Sequence, residues 1–148
     1  MKRMKKVLLL CIIATTTYTA GAQSPPSSRQ NQFSKLSSKL ATPLSELEKA
    51  FLAPEGTKLQ LKFSNLTFSG IVLSSVKKYD NLYKVVIKSS SLDNTLFSIS
   101  KRIEEDSAVT YIGRIINEKY ADGYELKKES DGSYSLNKIQ TEDLIQDF

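Results

Sequence analysis

Histidine and tryptophan are absent from this chain of 148 residues, and cysteine occurs once. Without histidine, neither a Ser-His-Asp nor a Cys-His nucleophile system can be assembled. Zinc centres built on His or Cys are excluded, as is haem or iron–sulfur ligation by those residues. The single cysteine, Cys11, sits in an apolar run from Val7 to Ala14. Leu8, Leu9 and Leu10 precede it, where a lipoprotein processing site needs a small residue. The remaining chemistry is carboxylate acid/base work, Tyr or Lys reactions, and oxygen-ligand sites for calcium. No cofactor is expected, and the expectation is a protein that is not an enzyme.

Residues 1–22 read as a secretory signal peptide. Lys2, Arg3, Lys5 and Lys6 form a positive start, and an apolar stretch too short to span a bilayer follows. Ala20-Gly21-Ala22 is a small-residue cleavage site, with Gln23 as the new N-terminus. The expected location is therefore secreted or periplasmic. Four of the 21 basic residues lie in this segment, and none of the 16 acidic ones. That leaves 17 against 16, so the basic balance is a targeting feature and no nucleic-acid partner is expected. Lys77-Lys78 and Lys127-Lys128 read as solvated faces. The 126 residues after Ala22 hold no cysteine, so their core alone must stabilise them in an oxidising compartment. That length suits one domain.

Residues 23–42 read as a flexible lead-in, with Phe33, Leu36 and Leu40 at the spacing of a short helix. A helix is expected over about 43–52, with Thr42 as N-cap and Pro43 at the first helical position. Ser45 and Glu48 offer a competing capping box. Leu44, Leu47 and Phe51 would share its apolar face, and Pro54 and Gly56 end it. From Thr57 the period changes to two: Leu59, Leu61 and Phe63 alternate with Lys58, Gln60 and Lys62. Leu66 and Phe68 resume the alternation out of phase, which calls for a turn or bulge at Ser64-Asn65. Further strands are expected around 71–76, 82–87, 97–103, 109–116, 124–126 and 134–136, the last two after Asp122-Gly123 and Asp131-Gly132. Thr141 to Phe148 reads as one amphipathic helical turn with Leu144, Ile145 and Phe148 inward. The expected fold is mainly β (α+β): an antiparallel meander, roll or small barrel of about seven strands after one helix, forming a single domain over 43–148. Phe63, Phe68, Val72, Val85, Ile87, Phe97, Ile99, Ile115 and Leu136 are the expected core. Phe68-Ser69-Gly70 and Tyr111-Ile112-Gly113, each followed by a turn and a tyrosine strand, echo one another, as two β-hairpins do by chance.

Among chemical candidates, the acids Glu104, Glu105, Asp106, Asp122, Glu125, Glu129 and Asp131 are dense enough to consider a carboxylate hydrolase. Such an enzyme needs two carboxylates about 5–10 Å apart in a cleft, and no spacing here specifies that pair. Asp122-Gly123 and Asp131-Gly132 have the acid–glycine step of calcium loops without the run of ligands, so turns explain them and no metal is expected. Tyr79, Tyr83, Tyr111, Tyr120 and Tyr124, with Tyr134, are candidates for an aromatic binding face, against the commoner role of tyrosines at a core edge. Asn65-Leu66-Thr67 is a glycosylation acceptor only in a eukaryotic secretory route. Asp106-Ser107-Ala108 matches a short O-glycosylation pattern. The terminal Phe148 suggests an outer-membrane barrel, but the expected strands are too short for one.

Phe68-Ser69-Gly70-Ile71-Val72, Tyr111-Ile112-Gly113-Arg114-Ile115 and Gly132-Ser133-Tyr134-Ser135-Leu136-Asn137-Lys138 together resemble the β-rich pro-regions of secreted zinc metallopeptidases. The resemblance covers about residues 68–138. The chain departs from that family in having no peptidase domain after the stretch and no cysteine there to block a zinc. The resemblance implies a stand-alone relative that binds a peptidase as inhibitor or chaperone, without activity of its own. The expectation from the residues themselves is a small non-catalytic binding or interaction protein. Its partner would be an envelope or extracellular protein or a glycan, and it would have no integral membrane span.

Overall fold

The computed structural model describes residues 29–145. The expected signal peptide with Ala20, Ala22 and Gln23 lies outside the described residues, as does Phe148. Eight strands form one antiparallel sheet: β1 Lys39–Thr42, β2 Lys58–Phe63, β3 Leu66–Tyr79, β4 Leu82–Ser89, β5 Leu96–Ile103, β6 Val109–Ile116, β7 Asp122–Lys128 and β8 Tyr134–Gln140. Helix α1, Leu44–Leu52, joins β1 to β2, and a single 3-10 turn covers Asp143–Ile145. The sheet order is β1-β8-β7-β6-β5-β4-β3-β2. Strands β2 to β8 thus form an uninterrupted meander, and β1 is added beside β8. The sheet curls into a half-barrel. Its two outermost strands approach one another, and the Ser64 hydroxyl after β2 accepts the Ala41 N–H of β1 at 2.9 Å.

The period-two pattern places one row of each strand inside the curl. All nine residues expected in the core are buried. Phe97 on β5 meets Phe63 and Phe68 edge to face at 5.6 and 5.7 Å, a favoured aromatic geometry. Two devices bend the sheet. A bulge in β3 shifts the register between Val72 and Ser74, and bulges raise local twist. Gly113 on β6 faces inward where β5 comes so close that a Cβ would lie 2.7 Å from the Ser98 carbonyl oxygen. Gly70 on β3 faces the Lys88 carbonyl in the same way, at 2.5 Å.

Helix α1 packs against the curl through Leu47 and Ala50, and Leu44 stays 48% exposed despite its place in the expected apolar face. Its polar side chains cover the free edge of β2. The Glu46 carboxylate accepts the Lys62 N–H at 2.9 Å, and the Lys49 ammonium donates to the Gln60 carbonyl at 2.5 Å. An unpaired strand edge otherwise invites pairing with another chain.

Residues 29–42 depart from the expected lead-in. They form a strap and then a strand, and Phe33 and Leu40 belong to the core. The helical spacing of Phe33, Leu36 and Leu40 reflects turns over 33–36 followed by β1, in which Leu40 and Thr42 point inward. Thr42 is therefore not the N-cap: its hydroxyl turns back to the Leu40 carbonyl, and Pro43 occupies the cap position with no side-chain hydrogen bond. Ser45 lies inside the helix, so the alternative capping box is not formed. Leu66 to Tyr79 is one long strand, because Ser64-Asn65 makes the β2–β3 hairpin turn, with Ser64 at φ 47°. The Asp131-Gly132 hairpin forms as expected, with Gly132 at φ 84°. Among the described residues no helix is long and apolar enough to cross a membrane.

Candidate functional site

The acids considered from the sequence are dispersed. Glu104, Glu105 and Asp106 occupy the exposed β5–β6 turn, where Asp106 accepts the Ala108 N–H at 2.9 Å. Glu125 on β7 pairs across the sheet with Arg114 at 2.9 Å and along its own strand with Lys127 at 3.2 Å. Burial pushes the Glu125 carboxyl up, but the hydrogen bonds from Arg114 and Lys127 outweigh it and hold the group below its ordinary range. Glu129 accepts the Ser135 hydroxyl and pairs with Lys39 at 2.9 Å. Asp131 accepts the Ser133 hydroxyl at 2.6 Å and its N–H at 2.9 Å, which lowers its pKa.

Asp122 differs from its expected role as a solvated turn acid. It is fully buried at the start of β7. Its carboxylate accepts the N–H groups of Gln32 at 2.6 Å and Phe33 at 3.0 Å. The Lys138 ammonium donates to the carbonyls of Phe33 and Leu36, each at 2.7 Å. The Tyr124 hydroxyl donates to the Ser37 carbonyl at 2.6 Å. These groups form a polar clamp that ties the 30–37 strap to β7 and β8. Among the described residues, no three acids gather as a metal site would require.

The tyrosines do not share one face. Tyr111 and Tyr124 are buried, and Tyr111 packs edge to face on Tyr134 at 5.5 Å. Burial, aided by the nearby Asp122 carboxylate, pushes the Tyr124 hydroxyl up to about 12. Burial, with Glu48 and Tyr134 nearby, raises the Tyr111 hydroxyl as well. Tyr79 stands at the β3–β4 hairpin and is 71% exposed. Tyr120 is half-buried in the β6–β7 connection. Tyr83 lines a cleft beside helix α1.

That site is a cleft of about 400 Å³ between the C-terminal half of α1 and strands β3 to β5. Phe51, Leu52 and Ile103 give it an apolar wall, and Val85 reaches it from the core. Leu52 stands at its rim, 82% exposed. Lys77 and Lys101 supply the cations, and exposed Glu48 on α1 is the one carboxylate in the lining. The sheet register sets Lys77 opposite Tyr83, and Tyr83 opposite Lys101. Phe51 packs at 5.8 Å, its ring tilted by 49°, against the buried Tyr111 ring, which anchors the apolar wall to the core. Sequence reading took Lys77 for a solvated face and Glu48 for a capping-box acid, and assigned Leu52, Lys101 and Ile103 to no site. The signal available was slight: an apolar Leu52 at the end of the helix and Lys101 on the inward phase of β5, whereas Lys77 turns inward only beyond the bulge in β3. Compared with protein-family models, with curated proteins and with solved structures, the chain matches none.

Proposed function

We propose that the protein is a small exported binding module, non-catalytic, whose site is the cleft between α1 and strands β3–β5. The observation that carries this reading is the cleft itself, a 400 Å³ concavity with an apolar wall and a few convergent polar groups. That combination is the usual form of a small-molecule site. A hydrolytic alternative is disfavoured because the lining holds a single carboxylate, Glu48, where paired acids are needed. Export rests on the n-region, apolar run and Ala20-Gly21-Ala22 step of the sequence.

Two measurements test the reading. N-terminal mass spectrometry of the exported protein should find Gln23 first, and a retained Met1–Ala22 segment would refute export. The neutral apolar dye N-phenyl-1-naphthylamine should fluoresce on binding to the mature chain. Leu52→Glu, a substitution at an exposed position, should suppress that signal without changing the melting curve. A dye signal absent from wild type, or unchanged in Leu52→Glu, would refute the cleft as a binding site.

A further inference from the structure

Resting on the cleft as a binding site, we propose that its ligand is a free, single-headed amphipathic carboxylate. The carboxylate lies between Lys77, Tyr83 and Lys101, and the apolar chain runs over Phe51, Leu52 and Ile103. The argument starts from register. Directly opposed residues of neighbouring strands hold their Cβ atoms about 4.5–5.5 Å apart. Lys77, Tyr83 and Lys101 are three such neighbours in one row, with a lysine on either side of the tyrosine. All three side chains carry hydrogen-bond donors, and ammonium–carboxylate bonds are the stronger, charge-assisted kind.

The two lysines are available. Lys101 makes no ion pair among the described residues. Lys77 pairs with Asp80 at 2.9 Å, but both side chains are exposed, so solvent screens the pair and a ligand can displace it. Charge complementarity therefore asks for an anion at this end. The wall opposite asks for hydrocarbon: Phe51 is held by Tyr111, and Leu52 is left 82% exposed at the rim with no side chain covering it. Glu48 sets the number of charges. An exposed carboxylate on the facing helix repels a second negative group, which favours a single carboxylate over a polyanion.

The experiment is displacement of N-phenyl-1-naphthylamine from the mature chain at low ionic strength and about pH 8, where a carboxylate is fully ionised. Decanoate, decanol and decyltrimethylammonium are the three competitors. Decanoate should displace the dye at the lowest concentration. Lys77→Ala with Lys101→Ala should weaken decanoate by about tenfold and leave decanol unchanged, taking about two- to fivefold for each exposed charge. Glu48→Gln should strengthen decanoate by about two- to fivefold. Decanol matching decanoate, decyltrimethylammonium binding best, or a double variant indistinguishable from wild type would each overturn the proposal. If the dye binds and none of the three displaces it, the ligand class is wrong while the cleft stands as a site. If the dye does not bind, both readings fall.

Discussion

Replacing Asp122 should loosen the amino-terminal strap and cost a large part of the stability. Its carboxylate is fully buried and accepts two backbone N–H groups, from Gln32 at 2.6 Å and Phe33 at 3.0 Å. A hydrogen bond to a charged partner contributes about 1.5–3 kcal/mol, and a buried donor left unpaired loses its hydration as well. Asp122→Ala should therefore cost about 3–5 kcal/mol. Asp122→Asn keeps one acceptor oxygen but turns an NH₂ group toward a donor, and should cost about 1–3 kcal/mol. Domains of this size hold about 5–15 kcal/mol in all, so the alanine variant should be marginal at room temperature. Urea denaturation should show its midpoint falling by more than about 1 M. Hydrogen exchange should show the amides of 30–37 losing protection in both variants before the β4–β6 amides do. An Asp122→Ala midpoint equal to wild type, or a strap still fully protected, would refute this account of the clamp.

Alkaline unfolding should track Tyr124. Burial favours its neutral form, so its folded pKa lies above the ordinary 10, at about 12. The stability it contributes is fully present below pH 10 and is lost as pH rises through about 12, as a pH series of melts with tyrosinate absorbance would show. In Tyr124→Phe that loss should be shallower. At the acid side, Glu125 has its pKa held below 4.5 by Arg114 and Lys127, so its contribution is present above pH 4.5 and is lost as pH falls through the depressed value. Arg114→Ala should flatten that limb in acid titrations of the melting temperature. Gly113→Ala should cost about 1–3 kcal/mol, because its methyl group would meet the Ser98 carbonyl, and a thermal melt equal to wild type would contradict the close approach. Glu46→Ala with Lys49→Ala should uncover the β2 edge and raise self-association in sedimentation velocity, with little change in the melt.

The meander was legible where pattern and turn chemistry agreed. Strand β4 announces itself by Val85 and Ile87 inward with β-branched neighbours, and the Asp131-Gly132 turn marks the last hairpin. Strand β1 was not legible, because four residues with two inward positions carry no period of their own. Its identity comes from β8, almost a hundred positions away. The bulge after Val72 hid the length of β3, since it flips the inward phase midway through the strand. Asp122 looked like a turn acid because its partners, Gln32 and Phe33, stand 90 and 89 positions earlier in the chain. The cleft was invisible for the same reason: Lys77 and Lys101 become neighbours of Tyr83 only through the pairing of three strands.

Synthesis delivers a chain from its amino end, and here that order runs against the architecture. The strap and β1 are made first. The groups that hold them, Asp122, Tyr124, Lys138 and the whole of β8, are made last. Until β7 arrives, Phe33 lacks Asp122 and Tyr124, and until β8 arrives, β1 has no strand to pair with. Pairings between distant parts of a chain form slowly, because the intervening loop must close first. A product cut short before Tyr134 would leave the edge of β7 open and a hydrophobic amino end adrift, which is the form most exposed to aggregation and proteolysis. The earliest-made strand of the sheet thus waits for β8 before it can pair.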